Sequence, residues 1–247
     1  MKVSVAMAVY NGEKHIKKQV DSILAQLKSD DELIVSVDRC SDNTLAILHA
    51  IQSADQRLKI YENRYKPGVV KNFQNAVEHC SGDIIFYSDQ DDVWMPNKVE
   101  IIRQRFQEKN VAVVIHDAML TDSSLNVIAP STFMLRGGAR TSFGGNFVRL
   151  SYIGCCMAFR AAYKDVILPI PTIHRSHDWW TGCILSCGKS KMVVIKEPLI
   201  LHRNHDNNVT PKQRPSLGYQ LQVRWIILKN VILRYRKKQM IDNMLQI

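Results

Sequence analysis

The sequence predicts an α/β fold: one twisted sheet of mainly parallel strands with helices on both faces. Two observations carry that expectation. The first half alternates short apolar runs with segments of helical period, the pattern of βαβ units. Polar residues also collect just beyond the apolar runs, where an open sheet of this kind binds its ligands. The 247 residues are 46% hydrophobic and 23% charged, which suffices for a large core and excludes wholesale disorder.

Val3–Val9 reads as the first strand. A helix follows over residues 13–27, with Ile16, Val20, Ile23, Leu24 and Leu27 at the three- and four-residue spacing of one buried face. Glu32–Val37 is the second strand and residues 42–51 the second helix. Asp42 suits its N-cap, because a short carboxylate accepts amide hydrogens that the first turn leaves unpaired. Residues 58–61 form a third strand, and Pro67-Gly68 punctuates the chain before a helix over Val69–His79. Residues 83–88 form a strongly apolar fourth strand, leading to an acidic loop and a helix that opens at Pro96. Residues 111–116 are the fifth strand.

Beyond residue 118 the pattern loosens. Gly137-Gly138 and Gly144-Gly145 bracket an expected loop. Residues 155–160 read as a strand, His177–Leu185 as a helix, and 192–195 and 199–202 as two short strands. A last helix starts near Pro215. Without repeats or a low-complexity linker, the chain reads as one compact unit, a main domain over 1–214 with a helical extension over 215–247.

Several function classes are disfavoured at once. No apolar run approaches the ~18 residues of a membrane span, and the N-terminus reads as a strand rather than a signal peptide, so an intracellular protein is expected. The six cysteines need no disulfide framework at this size and are expected as free thiols; Cys155 and Cys156 would point to opposite faces of a strand. Gly182 to Ser190 approaches a phosphate-binding loop but has one residue too many and follows a helix. A zinc site from Cys183, Cys187 and His174 or His177 lacks a second tight pair. A net charge of +10 admits nucleic acid, an anionic membrane or phosphate-bearing substrates as partners. No RNA-binding motif accompanies it, so nucleic acid is not expected.

The strand ends supply Tyr10-Asn11, Asp38 and Asp89-Gln90-Asp91-Asp92. Three carboxylates within four residues repel one another unless a cation intervenes. Mg²⁺ or Mn²⁺ shared with a diphosphate would supply that charge, since hard cations favour a few carboxylates plus phosphate oxygens.

Six segments now fall into a known order: Val5 to Gly12; Asp38 with Ser41-Asp42-Asn43-Thr44; Ser88 to Trp94; Gly154-Cys155-Cys156-Met157-Ala158-Phe159; His177-Asp178-Trp179-Trp180; and Leu201 to Val209. Over roughly residues 3–210 the chain resembles family 2 glycosyltransferases of the GT-A fold, especially rhamnosyltransferase-like members. The resemblance implies a Rossmann-like domain with a mixed, mainly parallel sheet and transfer from a UDP- or dTDP-sugar with inversion. Asp89 and Asp91 match the pair that holds the metal and the diphosphate, with Gln90 between them at the nucleotide-sugar. Asp38 matches the residue that reads the base, with Ala8 and Tyr10 lining that pocket and Lys71 contacting the nucleotide. Asp178 matches the catalytic base, and Trp179 and Trp180 would offer flat faces to the acceptor. Arg203 and His205 match a motif that reaches the diphosphate or metal; His202 and Asp206 depart from it, standing where relatives carry Tyr and Gly. The acceptor implied is a saccharide or lipid-linked glycan at the cytoplasmic face of a bacterial membrane.

The last segment suggests how such an acceptor is met. Residues 215–247 hold six basic side chains against one acid, Asp242, with Leu217, Leu221, Trp225, Leu228 and Ile232 interspersed. Such a helix either packs on the domain or lies on an anionic membrane surface.

Overall fold

The computed structural model describes residues 1–172, 177–204 and 216–246. Its strands are β1 (Val3–Val9), β2 (Glu32–Val37), β3 (Leu58–Glu62), β4 (Ile84–Ser88), β5 (Val93–Trp94), β6 (Val111–Thr121), β7 (Val127–Ala129), β8 (Met157–Arg160) and β9 (Lys191–Arg203). They join in one sheet of order β3-β2-β1-β4-β8-β6-β9-β5, with β7 on β6. The pairs β3–β2, β2–β1, β1–β4 and β6–β9 are parallel, whereas β8 runs antiparallel between β4 and β6. The sheet is therefore mixed and mainly parallel.

Helices cover both faces. On one lie α1 (Ile16–Leu24), α2 (Thr44–Ala54) and α4 (Lys98–Arg105), packed over Val5, Val35 and Phe86. On the other lie α3 (Val69–His79), α7 (Lys164–Ile167), α8 (His177–Leu185) and α9 (Leu217–Gln246), packed over Ala6, Ile85 and Ile115. Burial on both faces explains why the central strands read as continuous apolar runs.

Several elements differ instructively from the sequence expectation. The fifth strand does not stop at His116; it runs to Thr121, beside a single 13-residue β9 in place of two short strands. The polar pair His116-Asp117 looked like a strand end but is buried. Asp117 accepts hydrogen bonds from Thr132 Oγ1 and Phe133 N at 2.9 Å and from Ser131 Oγ, which anchors α5 (Thr132–Arg136) to the sheet. The expected glycine loop holds α6 (Phe143–Val148), whose first turn is capped by Ser142 Oγ accepting from Gly145 N at 3.1 Å. Cys155 and Cys156 are also corrected. They lie in a 3₁₀ turn over Gly154–Cys156, both buried in the same core rather than on opposite strand faces.

The last helix packs on the domain, but through residues other than the apolar ones singled out above. Val223, Ile227 and Val231 enter the core, each contributing on the order of 1.5–3 kcal/mol by burial. Arg234 donates to the carbonyls of Val166, Ile167 and Pro169 at 2.9 Å, and Asp242 accepts from Tyr163 and Lys238 at 2.8 Å.

Helix α8 approaches its neighbours closely at one glycine. A Cβ on Gly182 would lie 1.5 Å from Tyr152 Oη and 2.6 Å from Tyr152 Cζ, and Tyr152 is fully buried. Gly182→Ala is expected to cost about 1–3 kcal/mol by overpacking, lowering Tm by roughly 2–12 °C in calorimetry. An unchanged Tm would show that the ring does not seat on this position.

Candidate active site

The carboxyl ends of β1, β2 and β4 meet at one edge, and their loops are zipped together by hydrogen bonds between side chains and backbone. Gln90 Oε1 accepts from Tyr10 N and Gln90 Nε2 donates to Tyr10 O, both at 2.9 Å. Gly12 N donates to Thr44 Oγ1 at 2.8 Å, and Asn11 Oδ1 accepts from Ser41 N at 2.9 Å. One donor and one acceptor of the Gln90 amide are engaged by Tyr10, so Gln90 positions the acidic loop against the first strand's loop. The phenol of Tyr10 stays exposed, and Ala8 is half-buried at the end of β1.

The acidic loop is electrostatically loaded. Burial, followed by the nearby carboxylates of Asp92 and Asp91, pushes the Asp89 carboxyl well above its ordinary range. Beneath the loop, Lys98 is buried with its ammonium 3.9 Å over the Trp94 ring and donating to Cys155 O at 3.1 Å. Burial pushes its pKa down to about 8. Asp92 Oδ2 is buried and has no hydrogen-bond partner among the described residues. Crowded carboxylates with an orphaned oxygen fit a hard divalent cation, which Asp89 and Asp91 would hold. His205, the third expected ligand, lies outside the described residues.

A clamp at the end of β9 supports this loop. Asp92 Oδ1 accepts from His202 Nδ1 at 2.9 Å and from Arg203 N at 3.1 Å, while Arg203 Nε donates to Asp91 O at 2.8 Å. Arg203 Nη1 reaches Ser123 O. Burial alone would lower the His202 pKa, but the Asp92 carboxylate outweighs it and raises it. Arg203 is buried with its guanidinium on the carbonyls of Asp91 and Ser123, so in this structure it braces the acidic loop. Asp92, Cys155 and His202 bring ligand atoms within 4.8 Å of one another, a grouping the sequence reading missed. The signals for it were present, a third carboxylate in the loop and a histidine where relatives carry Tyr. Gln19 was missed as well. It occupies a buried position of α1 and donates to Ser88 Oγ at 2.8 Å and Asp89 O at 3.0 Å.

Asp178 lies in the first turn of α8, near enough to the acidic loop for its charge to raise the Asp89 pKa. Its Oδ1 accepts from Trp179 N at 2.8 Å. Gly154 makes this approach possible: a Cβ there would stand 2.7 Å from His177 Nε2 and 3.2 Å from Asp178 Cβ. His177 stacks on Phe73 with ring centroids 3.9 Å apart, and burial lowers its pKa, leaving a neutral ring. The two tryptophans part company. Trp180 is fully buried and donates to Ile167 O at 2.9 Å, so it is core and cannot face an acceptor. Trp179 is half-buried, donating to Asn146 O at 2.6 Å with Arg224 5.7 Å from its ring.

The remaining expected nucleotide residues lie at the same edge. Asp38, at the end of β2, accepts from Asn63 Nδ2 at 2.7 Å and Gly68 N at 2.8 Å. These bonds pin the connection into α3. Lys71 spends two of its three N–H donors on Gln74 Oε1 (2.7 Å) and Ile170 O (3.3 Å), and burial lowers its pKa.

This fold, with an acidic loop after β4 and a carboxylate at the start of α8, is that of GT-A glycosyltransferases. The chain belongs to glycosyl transferase family 2, whose sequence profile matches residues 4–167. It is 26% identical over 218 residues to the uncharacterized glycosyltransferase alr2836 of Nostoc sp., covering 84% of this chain and 66% of that one. It is 27% identical to the dTDP-rhamnosyl transferase RfbG of Shigella flexneri (82% and 72% covered). It is 33% identical to WfgD of Escherichia coli, a UDP-Glc:α-D-GlcNAc-diphosphoundecaprenol β-1,3-glucosyltransferase, over 44% of this chain and 43% of that one. The chain thus spans less than two-thirds of the length of alr2836 and of WfgD. Among solved structures, S. aureus TarS with UDP-GlcNAc superposes at TM-score 0.69, 16% identity, over 93% of this chain and 66% of that one. The mannosyltransferase PcManGT of Pyrobaculum calidifontis with GDP-Man and Mn²⁺ does so at 0.62, 14% identity, over 94% and 73%. At these identities the structural likeness speaks to the fold alone.

Proposed function

We propose that the protein transfers a sugar from a UDP- or dTDP-sugar to a saccharide or lipid-linked glycan, with inversion and with Mn²⁺ or Mg²⁺ bound at Asp89 and Asp91. The observation that carries this reading is the closeness of two carboxylate sites: the Gly154–Cys156 turn touches Asp178, in the first turn of α8, on one side and Asp92 of the crowded acidic loop on the other. A bound divalent cation supplies positive charge for the leaving diphosphate. Asp178 takes the proton of the acceptor hydroxyl as that oxygen bonds to the anomeric carbon; the bond to the diphosphate breaks and its electron pair leaves with the phosphate oxygen. One base on the face opposite the leaving group means a single displacement. Asp38, Ala8 and Tyr10 form the side for the base, Lys71 is a nucleotide contact, and Trp179 lines the acceptor side.

Likeness to RfbG supports dTDP-rhamnose as a donor to test. Likeness to WfgD supports a lipid-linked acceptor and hence work at the cytoplasmic membrane face in bacterial surface polysaccharide synthesis. Calorimetric titration of UDP, dTDP and GDP, each with and without Mn²⁺, tests the donor site. Tight binding of one uridine or thymidine nucleotide that depends on Mn²⁺ is expected. A folded protein that binds none of the three would end this reading and leave a non-catalytic surface-binding protein.

A further inference from the structure

We infer that the outer face of α9 seats the protein on an anionic lipid bilayer, with the Trp179 edge of the cleft beside the membrane. The inference deepens the reading of a lipid-linked acceptor and rests on it for its purpose.

Helix α9 is apolar on two opposite sides. Val223, Ile227 and Val231 fill the core, while Leu217 (78% exposed), Leu221 (67%), Trp225 (66%) and Ile232 (66%) face out. At 3.6 residues per turn, Leu221, Trp225, Leu228 and Ile232 fall within one narrow strip, and the stretch from 217 to 232 extends ~24 Å. A surface helix of a soluble domain normally turns polar side chains outward. Val148, 65% exposed at the end of α6, adjoins the strip, since its carbonyl accepts from Arg224 Nη2 at 2.8 Å.

The charges around the strip choose the occupant. Lys229 and Arg236 are exposed along one edge, and Arg224 lies along the other. The single acid of α9, Asp242, is buried and paired with Lys238. Nothing on the outward side of the helix would repel phosphate headgroups, and interfacial helices combine this apolar strip with basic flanks. A second copy meeting the strip about a two-fold axis would bring the same basic flanks toward each other. No described helix is long and apolar enough to cross a membrane, so α9 would lie in the interface plane. Its placement then orients the active site. Arg224 sits over Trp179, the residue after Asp178, so the acceptor edge and the seat share one flank of the molecule.

The test uses the full chain with vesicles of phosphatidylcholine alone or mixed with phosphatidylglycerol. Binding to the anionic vesicles, weakened by added salt, is expected. Leu221→Ser/Trp225→Ser/Ile232→Ser should lower the partition coefficient at least about tenfold, and Lys229→Glu/Arg236→Glu should remove the preference for anionic lipid. Unchanged circular dichroism and Tm in both variants serve as the folding control. A folded protein that ignores anionic vesicles, a triple variant that partitions as the parent does, or a dimer in solution that the triple variant dissolves would each overturn the inference. Vesicle binding without any nucleotide binding would support the seat and count against the transferase reading alone.

Discussion

Asp178→Asn is expected to slow transfer by about 10²–10⁴-fold while nucleotide affinity stays within about twofold of the parent. The amide keeps the shape of the side chain and an oxygen able to accept from Trp179 N, the bond that the carboxylate makes at 2.8 Å. The start of α8 and its packing on Gly154 should therefore survive. What is lost is the ability to take a proton from the acceptor hydroxyl. Initial rates with a nucleotide-sugar donor, set beside calorimetric nucleotide binding, separate the two effects. Near-normal turnover would remove Asp178 from the base role. A parallel loss of nucleotide affinity would move it to the donor side of the cleft.

Asp91→Asn should act in the opposite way. Nucleotide binding measured without metal should change little, but the gain in affinity on adding Mn²⁺ should fall by about 100-fold, or roughly 2.7 kcal/mol. The asparagine removes one negative charge from a loop in which Asp89 is already hard to ionise. It therefore relieves repulsion in the metal-free protein while depriving the cation of a charged ligand. The backbone carbonyl of residue 91 still accepts from Arg203, so the loop keeps its support. An undiminished response to Mn²⁺ would place the metal elsewhere, and the Asp92, Cys155 and His202 grouping would be the next to substitute.

The parts of this fold written in local chemistry were legible from the sequence. Helix α3 and helix α8 begin and end where periodicity and Pro-Gly punctuation place them. The acidic loop was equally plain, because three carboxylates after an apolar strand have few explanations. What escaped depends on contacts distant in sequence. Asp117 looks like a strand end until Thr132 and Phe133 are seen to bond it. The bracing parts of Gln90 and Arg203 were hidden as well, since only the folded chain shows them bonded to the backbone at Tyr10 and Asp91. Trp179 and Trp180, adjacent in a motif, differ wholly in exposure because a helix turns by ~100° per residue. On α9 the sequence shows apolar residues throughout, and only packing separates those that fill the core from those left outside.

The order of the strands has a further consequence. Under the proposed assignment, the described groups that handle the donor come from β1, β2, the start of α3 and the loop after β4, all within the first 92 residues. The acceptor flank is assembled separately, from α6, the first turn of α8 and the first half of α9. The two halves of the reaction are thus written in separate stretches of gene. A lineage can exchange the coding region for one flank and meet a new acceptor while inheriting its sugar-nucleotide chemistry intact.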